Sequence, residues 1–158
     1  MFVEKKIALQ KEMLFISLLL IACISPILKN QLIVGSIINA TIFLAIFKLN
    51  YKKAIICAFF PSLMAIATTA VPAYLVIFVP FIIFANLTLI YTYKITKSIN
   101  HYLAMVFAVI AKFIIIYSAS ILFLSLFHLE SYLTLFGSIQ LVTASIGAVL
   151  ASIINLKR

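Results

Sequence analysis

The sequence has no aspartate and no tryptophan, and its 158 residues include only three acids (Glu4, Glu12 and Glu130), three glycines and two cysteines. Each scarcity removes a class of function. With no acid inside an apolar run, the common carboxylate proton relay of membrane transporters is missing. With no glycine-rich loop, the chain does not use ATP by the usual strand and loop device. Cys23 and Cys57 lie in separate apolar runs, with no base beside either, and are read as packing residues. No serine and histidine pair at matching depth suggests a hydrolase, so the chain is not read as an enzyme. His101 and His128 fall on opposite sides of the topology derived below, which leaves no two-histidine haem or metal site and no cofactor. Charged residues make up 9% of the chain, where soluble domains carry about 25%, so a water-soluble globular domain is excluded.

What is present is apolar. Hydrophobic residues are 66% of the sequence and the mean hydropathy is +1.31, leaving too few polar side chains to cover a core in water. The solvent is therefore a lipid bilayer. A formal net charge of +9 would suit a nucleic-acid partner if the lysines lay along one face. Instead they punctuate long apolar runs, as the loops of an inner-membrane protein do, and nucleic acid is set aside. Leu20-Ile21-Ala22-Cys23 has the look of a lipoprotein processing box, but five further apolar spans follow it, unlike a tethered soluble domain.

A hydrocarbon core about 30 Å thick takes about 20 helical residues at 1.5 Å each. On that ruler the sequence divides into six spans, near 13–28, 32–47, 54–70, 73–91, 103–127 and 132–156, in one integral membrane domain. Unsatisfied backbone is intolerable in lipid, and the alternation of a transmembrane barrel is absent, so the expected fold is an all-α polytopic six-helix bundle. Pro72 marks the hairpin between the third and fourth spans; read as a kink, it would leave five. With six spans and the N-terminus inside, ten of the twelve basic residues are cytoplasmic: Lys5, Lys6, Lys11, Lys48, Lys52, Lys53, Lys94, Lys97, Lys157 and Arg158. Lys29 alone faces out, so both termini are expected in the cytoplasm. Tyr51, Tyr91, Tyr93 and Tyr102 at the inner headgroups, with Tyr74 and Tyr132 at the outer ones, agree with this map.

The twelfth basic residue is Lys112, inside the fifth span. A charge there costs about 2.5–3.5 kcal/mol on insertion scales. It lies nine residues beyond Leu103, roughly 13 Å along a helix, too deep for its stem to snorkel to the headgroups. Lys112 is therefore expected to face inward. No carboxylate is available to neutralise it, so neutral groups must serve. Candidates are Asn39 in the second span, Asn86 in the fourth and Gln140 in the sixth. Counted from the outer boundary, Asn39, Gln140 and Lys112 fall at similar depths and line one cavity, with Asn86 nearer the inside. Amides in spans also serve simply as interhelical glue; beside an unpaired cation they suit a small, mostly apolar pocket that accepts a ligand carboxylate or another acceptor.

Thr143, Gly147 and Ala151 form a small-residue stripe on the sixth span, and Gly35 precedes Asn39 by one turn on the second. Such stripes let another helix approach closely, either within the bundle or on a partner subunit. Pro61 and Pro80 lie inside spans, where a kink or local unwinding opens space.

Taken together, six short-looped spans with no ATP site resemble the substrate-binding S-components of energy-coupling factor (ECF) transporters. The likeness is carried by Gly35-Ser36-Ile37-Ile38-Asn39-Ala40, Pro80-Phe81-Ile82-Ile83-Phe84-Ala85-Asn86, Ala111-Lys112-Phe113 and Gln140-Leu141-Val142-Thr143-Ala144, in four of the six spans. It is strongest to the compact forms without an assigned substrate. The resemblance implies a multi-pass protein of the bacterial cytoplasmic membrane that binds a vitamin-like micronutrient from outside. It also implies docking on a coupling transmembrane subunit with two ATPase subunits, and it assigns Asn39, Lys112 and Gln140 to substrate contact or to the polar lining beneath it. The residues' own pattern adds Asn86 to the substrate-binding set and offers the stripe Thr143, Gly147 and Ala151 as the partner-docking surface. The competing reading is a non-catalytic structural or assembly subunit of a larger membrane complex.

Overall fold

The structure is a computed structural model that describes residues 2–68, 73–127 and 137–156. Every regular element among them is helical. In chain order these are α1 (Phe2–Ile24), α2 (Gln31–Lys48), α3 (Tyr51–Ala67), α4 (Val79–Thr96), α5 (His101–Phe127) and α6 (Ser138–Leu156), with 3₁₀ turns at Ser25–Leu28 and Ala73–Phe78. Among the described residues five stretches are long and apolar enough to cross a membrane, and α3, at 17 residues, is slightly shorter. The chain is an all-α, multi-pass membrane protein.

Three of its helices, α2, α3 and α5, start at an asparagine cap. Asn30 accepts hydrogen bonds from the Leu32 and Ile33 amides, Asn50 from Lys53, and Asn100 from Tyr102 and Leu103. Each satisfies backbone donors that the first helical turn leaves unpaired. At the other end of one such connector, Lys29 takes a left-handed φ of 51° and closes the Ser25–Leu28 turn by donating its amide to the Pro26 carbonyl. This lets the chain reverse over Lys29 and Asn30 alone. Inside the helices, Ser17, Thr88, Thr96, Ser120 and Ser145 return their hydroxyls to the carbonyl four residues back, which hides those hydroxyls from an apolar surrounding.

The distribution of side chains is inverted relative to a soluble bundle. Long apolar residues such as Leu20, Phe84, Ile114, Val149 and Ile154 face outward, while Ser36, Asn39, Asn86, Lys112, Gln140 and Thr143 are buried. Lipid solvates the former and would penalise the latter. Small buried residues bring the helices close: Ala40, Ala45, Ala58, Ala85, Ala104, Ala108, Ala144 and Ala151. α2 runs through the middle, packed on α6, α3 and α1, and α4 pairs with α5.

The tightest crossing is α2 on α6. A β-carbon added to Gly147 would come within 2.5 Å of the Asn39 β-carbon and 2.7 Å of the Ala40 amide, and one added to Gly35 within 2.9 Å of Thr143. The stripe Thr143, Gly147 and Ala151 is thus spent inside the bundle. All three residues are buried within the chain's own bundle, the within-bundle alternative that the stripe allowed.

One expectation from the sequence changes. Pro80 stands in the first turn of α4 and starts that helix, where its missing N–H costs nothing, so it does not kink the middle of a span. Pro61 does lie within α3. The hairpin at Pro72 and the outer loop with His128 and Glu130 lie outside the described residues. α3 and α4 nevertheless lie side by side, because Asn86 of α4 reaches the Ala58 carbonyl of α3.

Candidate functional site: a buried lysine at the floor of a cavity

The expected inward-facing lysine is present. Lys112 is 2% exposed, although it stands near the middle of a 27-residue helix. Its Nζ donates to Asn39 Oδ1 at 2.6 Å and to Asn86 Oδ1 at 2.7 Å, joining α5 to α2 and α4. Each amide is itself held. Asn39 Nδ2 donates to the Gly35 carbonyl at 2.7 Å, one turn back on its own helix, and Asn86 Nδ2 donates to the Ala58 carbonyl at 3.4 Å. Using the NH₂ groups on backbone oxygens turns both amide oxygens toward the ammonium, the only way round in which an amide can accept from Lys.

This clamp forms the floor of a cavity of about 80 Å³ whose walls come from α2, α3, α4 and α6. Pro26, Gln31, Val34, Ser62, Ala65, Val79 and Gln140 lie toward its mouth. Those residues come from the last part of α3, the first turns of α2, α4 and α6, and the turn after α1, so the cavity opens at one end of the bundle.

Gln140 is 4% exposed and its side-chain amide makes no hydrogen bond among the described residues. The buried Ser62 hydroxyl is in the same position. No fully enclosed side-chain nitrogen or oxygen among the described residues lacks a partner, so both groups face the cavity space. An ammonium offers three donors and two are engaged, leaving one free at the floor. Apart from Gln31 at the mouth, the remaining described wall residues are apolar, among them Val34, Ile38, Ala65, Val79 and Ile82.

Asn39, Asn86, Lys112 and Gln140 therefore surround one cavity, but with different partners from those depth counting suggested. Asn86 bonds to Lys112, and Gln140 stands near the mouth. Gln140 is only two residues into α6, which begins at Ser138. Asn86 is seven residues, roughly 10 Å, into α4, close to the roughly 12 Å of Asn39 into α2. Ser62 escaped notice because serine is frequent in this sequence and carries little signal alone; its place beside Pro61 in an apolar run was the available clue.

The opposite end of the bundle is basic and aromatic. Tyr93 Oη and His101 Nδ1 share a hydrogen bond of 2.8 Å, and Phe47 lies 4.8 Å from the His101 ring centre. Lys94 and Lys97 stand over the Tyr51 ring at 5.5 and 5.3 Å, and Lys53 pairs with Glu12 at 2.5 Å. A groove of about 420 Å³ between α5 and α6 is almost wholly apolar, with Val106, Ile110, Val149 and Ile153 exposed along it. It has no charged group to orient a ligand.

Comparison with family models, with curated proteins and with solved structures returns no match.

Proposed function

We propose that this chain is the membrane-embedded ligand-binding subunit of an ATP-driven micronutrient importer of the ECF type, resident in a bacterial cytoplasmic membrane. Six spans with both termini inside are part of the proposal. Lys48, Lys52, Lys53, Lys94 and Lys97 gather at the end opposite the cavity mouth, so the positive-inside rule turns the mouth outward. The carrying observation is Lys112. A buried cation with no acid near it among the described residues, solvated by two oriented amides and bordering a cavity with two further free polar groups, is an arrangement for receiving a ligand acceptor.

In this reading the ligand enters from outside between the starts of α2, α4 and α6. It displaces water from the cavity and gains the third Lys112 N–H. Ser62 and Gln140 hold it nearer the mouth. Energy for release inward comes from ATPase subunits bound through a coupling transmembrane subunit, since this chain has no phosphate-binding loop. The docking face for those partners lies on exposed helix surfaces and not on the buried Thr143, Gly147 and Ala151 stripe.

The test is mass spectrometry of small molecules that co-purify with the wild-type protein and with Lys112→Met. A molecule present in the first and lost from a folded second supports the proposal; identical profiles remove Lys112 from any binding site. One observation favours the assembly-subunit reading: Lys112, Asn39 and Asn86 by themselves tie three helices together. That reading expects Lys112→Met to reduce bundle stability and to change nothing that co-purifies.

A further inference from the structure

Resting on the reading of the cavity as a ligand site, we propose that the group seated in it is a compact monovalent carboxylate. It is either a whole short-chain monocarboxylic acid or the terminal carboxylate of a longer molecule whose body extends past Gln31 and Pro26.

Charge comes first. Among the described residues Lys112 is the one charged side chain on the cavity wall, and the amides of Asn39 and Asn86 solvate it without neutralising it. A neutral guest leaves a net positive charge among apolar helices. A divalent anion replaces it with a net negative one, and either uncompensated charge is costly where water is scarce. One negative charge cancels it.

Geometry comes second. The groups without partners are the third Lys112 N–H at the floor, the Ser62 hydroxyl on α3 and the Gln140 amide on α6. These donors come from three helices, so one acceptor atom does not satisfy them as well as two oxygens on a rigid planar group do. A carboxylate offers two oxygens with about four lone-pair directions. A halide offers one centre.

Size comes third. At about 80 Å³ the cavity is small, room for a few water molecules or a solute of a few heavy atoms. Acetate and propionate are of this size, and Val34, Ile38, Val79 and Ile82 supply an apolar lining for the alkyl part. The space does not accommodate a whole drug-sized ligand, whose pockets run about 300–1,000 Å³, so a larger substrate places only its acid end here.

The experiment uses the purified full chain in detergent at constant ionic strength. Protection against thermal unfolding is measured with sodium acetate, propionate, hexanoate, nitrate and chloride, and with neutral acetamide as the isostere of acetate. The expected result is saturable protection by acetate and propionate and none by acetamide or chloride. Lys112→Met is expected to weaken acetate by about 10- to 100-fold, as for a hydrogen bond to a charged group, and Gln140→Leu by about fivefold. Hexanoate binding more tightly than acetate assigns the carboxylate to the end of a longer molecule; hexanoate failing to bind assigns a free short acid.

Equal protection by acetamide and acetate, or by chloride and acetate, overturns the proposal, and these comparisons need no variant. Its failure is separable from that of the importer reading. A neutral molecule that co-purifies with wild type and is lost from Lys112→Met removes only the carboxylate assignment. No protection by any anion, together with no co-purifying molecule, removes both.

Discussion

The two ends of the bundle handle positive charge in opposite ways. At the basic end, Lys53, Lys94 and Lys97 lie over aromatic rings or beside Glu12, near enough to the helix ends for water and headgroups to solvate them. Such contacts are individually weak and replaceable. At the cavity floor a single lysine is surrounded by helix, and two asparagines take over the role of solvent. The first arrangement follows from the bilayer and is what the loops of any inward-positive protein show. The second has no origin in insertion or orientation; under the proposed function a guest completes the solvation that the amides begin.

The comparison breaks most sharply at Asn39. Asn39→Leu leaves the ammonium with one protein partner, and a half-satisfied buried cation is expected to cost about 3 kcal/mol or more of stability. In denaturant unfolding of the detergent-solubilised protein, Lys112→Met combined with Asn39→Leu is expected to lose less than Asn39→Leu alone, because removing the charge and an acceptor together leaves less unpaired. A double variant that loses the sum of both singles would show that the two residues are not coupled.

Gly147→Ala tests whether the α2 and α6 crossing holds the clamp in place. The added methyl meets Asn39 and the Ala40 backbone, so overpacking of about 1–3 kcal/mol is expected, with weaker ligand binding because Asn39 must shift. Gly35→Ala meets the buried Thr143 instead, at 2.9 Å against the 2.5 Å of the Gly147 clash, and is expected to cost less because the overlap is smaller. Thermal unfolding and ligand protection measured on both variants decide the order.

At the other end the expected effects shrink. Tyr93→Phe removes the hydrogen bond to His101 and is expected to cost about 1 kcal/mol while leaving ligand binding unchanged. Lys53→Gln breaks the pair with the exposed Glu12, and a change of about 0.5 kcal/mol or less is expected in the same unfolding assay. A basic-end variant that alters ligand affinity would show the two ends to be coupled.

Much of this could be read before any coordinates. Lys112 declared itself by being a charge in an apolar run, and its inward direction followed from the length of its stem against its depth. Asn39, Asn86 and Gln140 were visible as amides among aliphatics. Which of them touched the lysine was not, because counting depth along the chain assumes that all helices begin in one plane. They do not: α5 has 27 residues and α2 has 18, roughly 40 and 27 Å at helical rise. α4 begins only at Val79, after a 3₁₀ turn, and α6 at Ser138. The small-residue stripe showed the same division. Spacing announced that something lies close against Thr143, Gly147 and Ala151, but α2 of the same chain and a helix of another protein would leave the same spacing.

Composition and residue order determined that lipid is the solvent, that the chain is helical and that one ammonium lies within an apolar run that holds no acid. These follow from transfer energies, which each residue carries with it wherever it goes. Only the tertiary structure decided that Asn39 and Asn86 turn their oxygens to Lys112, that Ser62 and Gln140 are left free above it, and that Gly147 presses on the asparagine that holds the charge. Those are relations between helices, set by how deeply each one seats and how it is rotated, and no single span contains them.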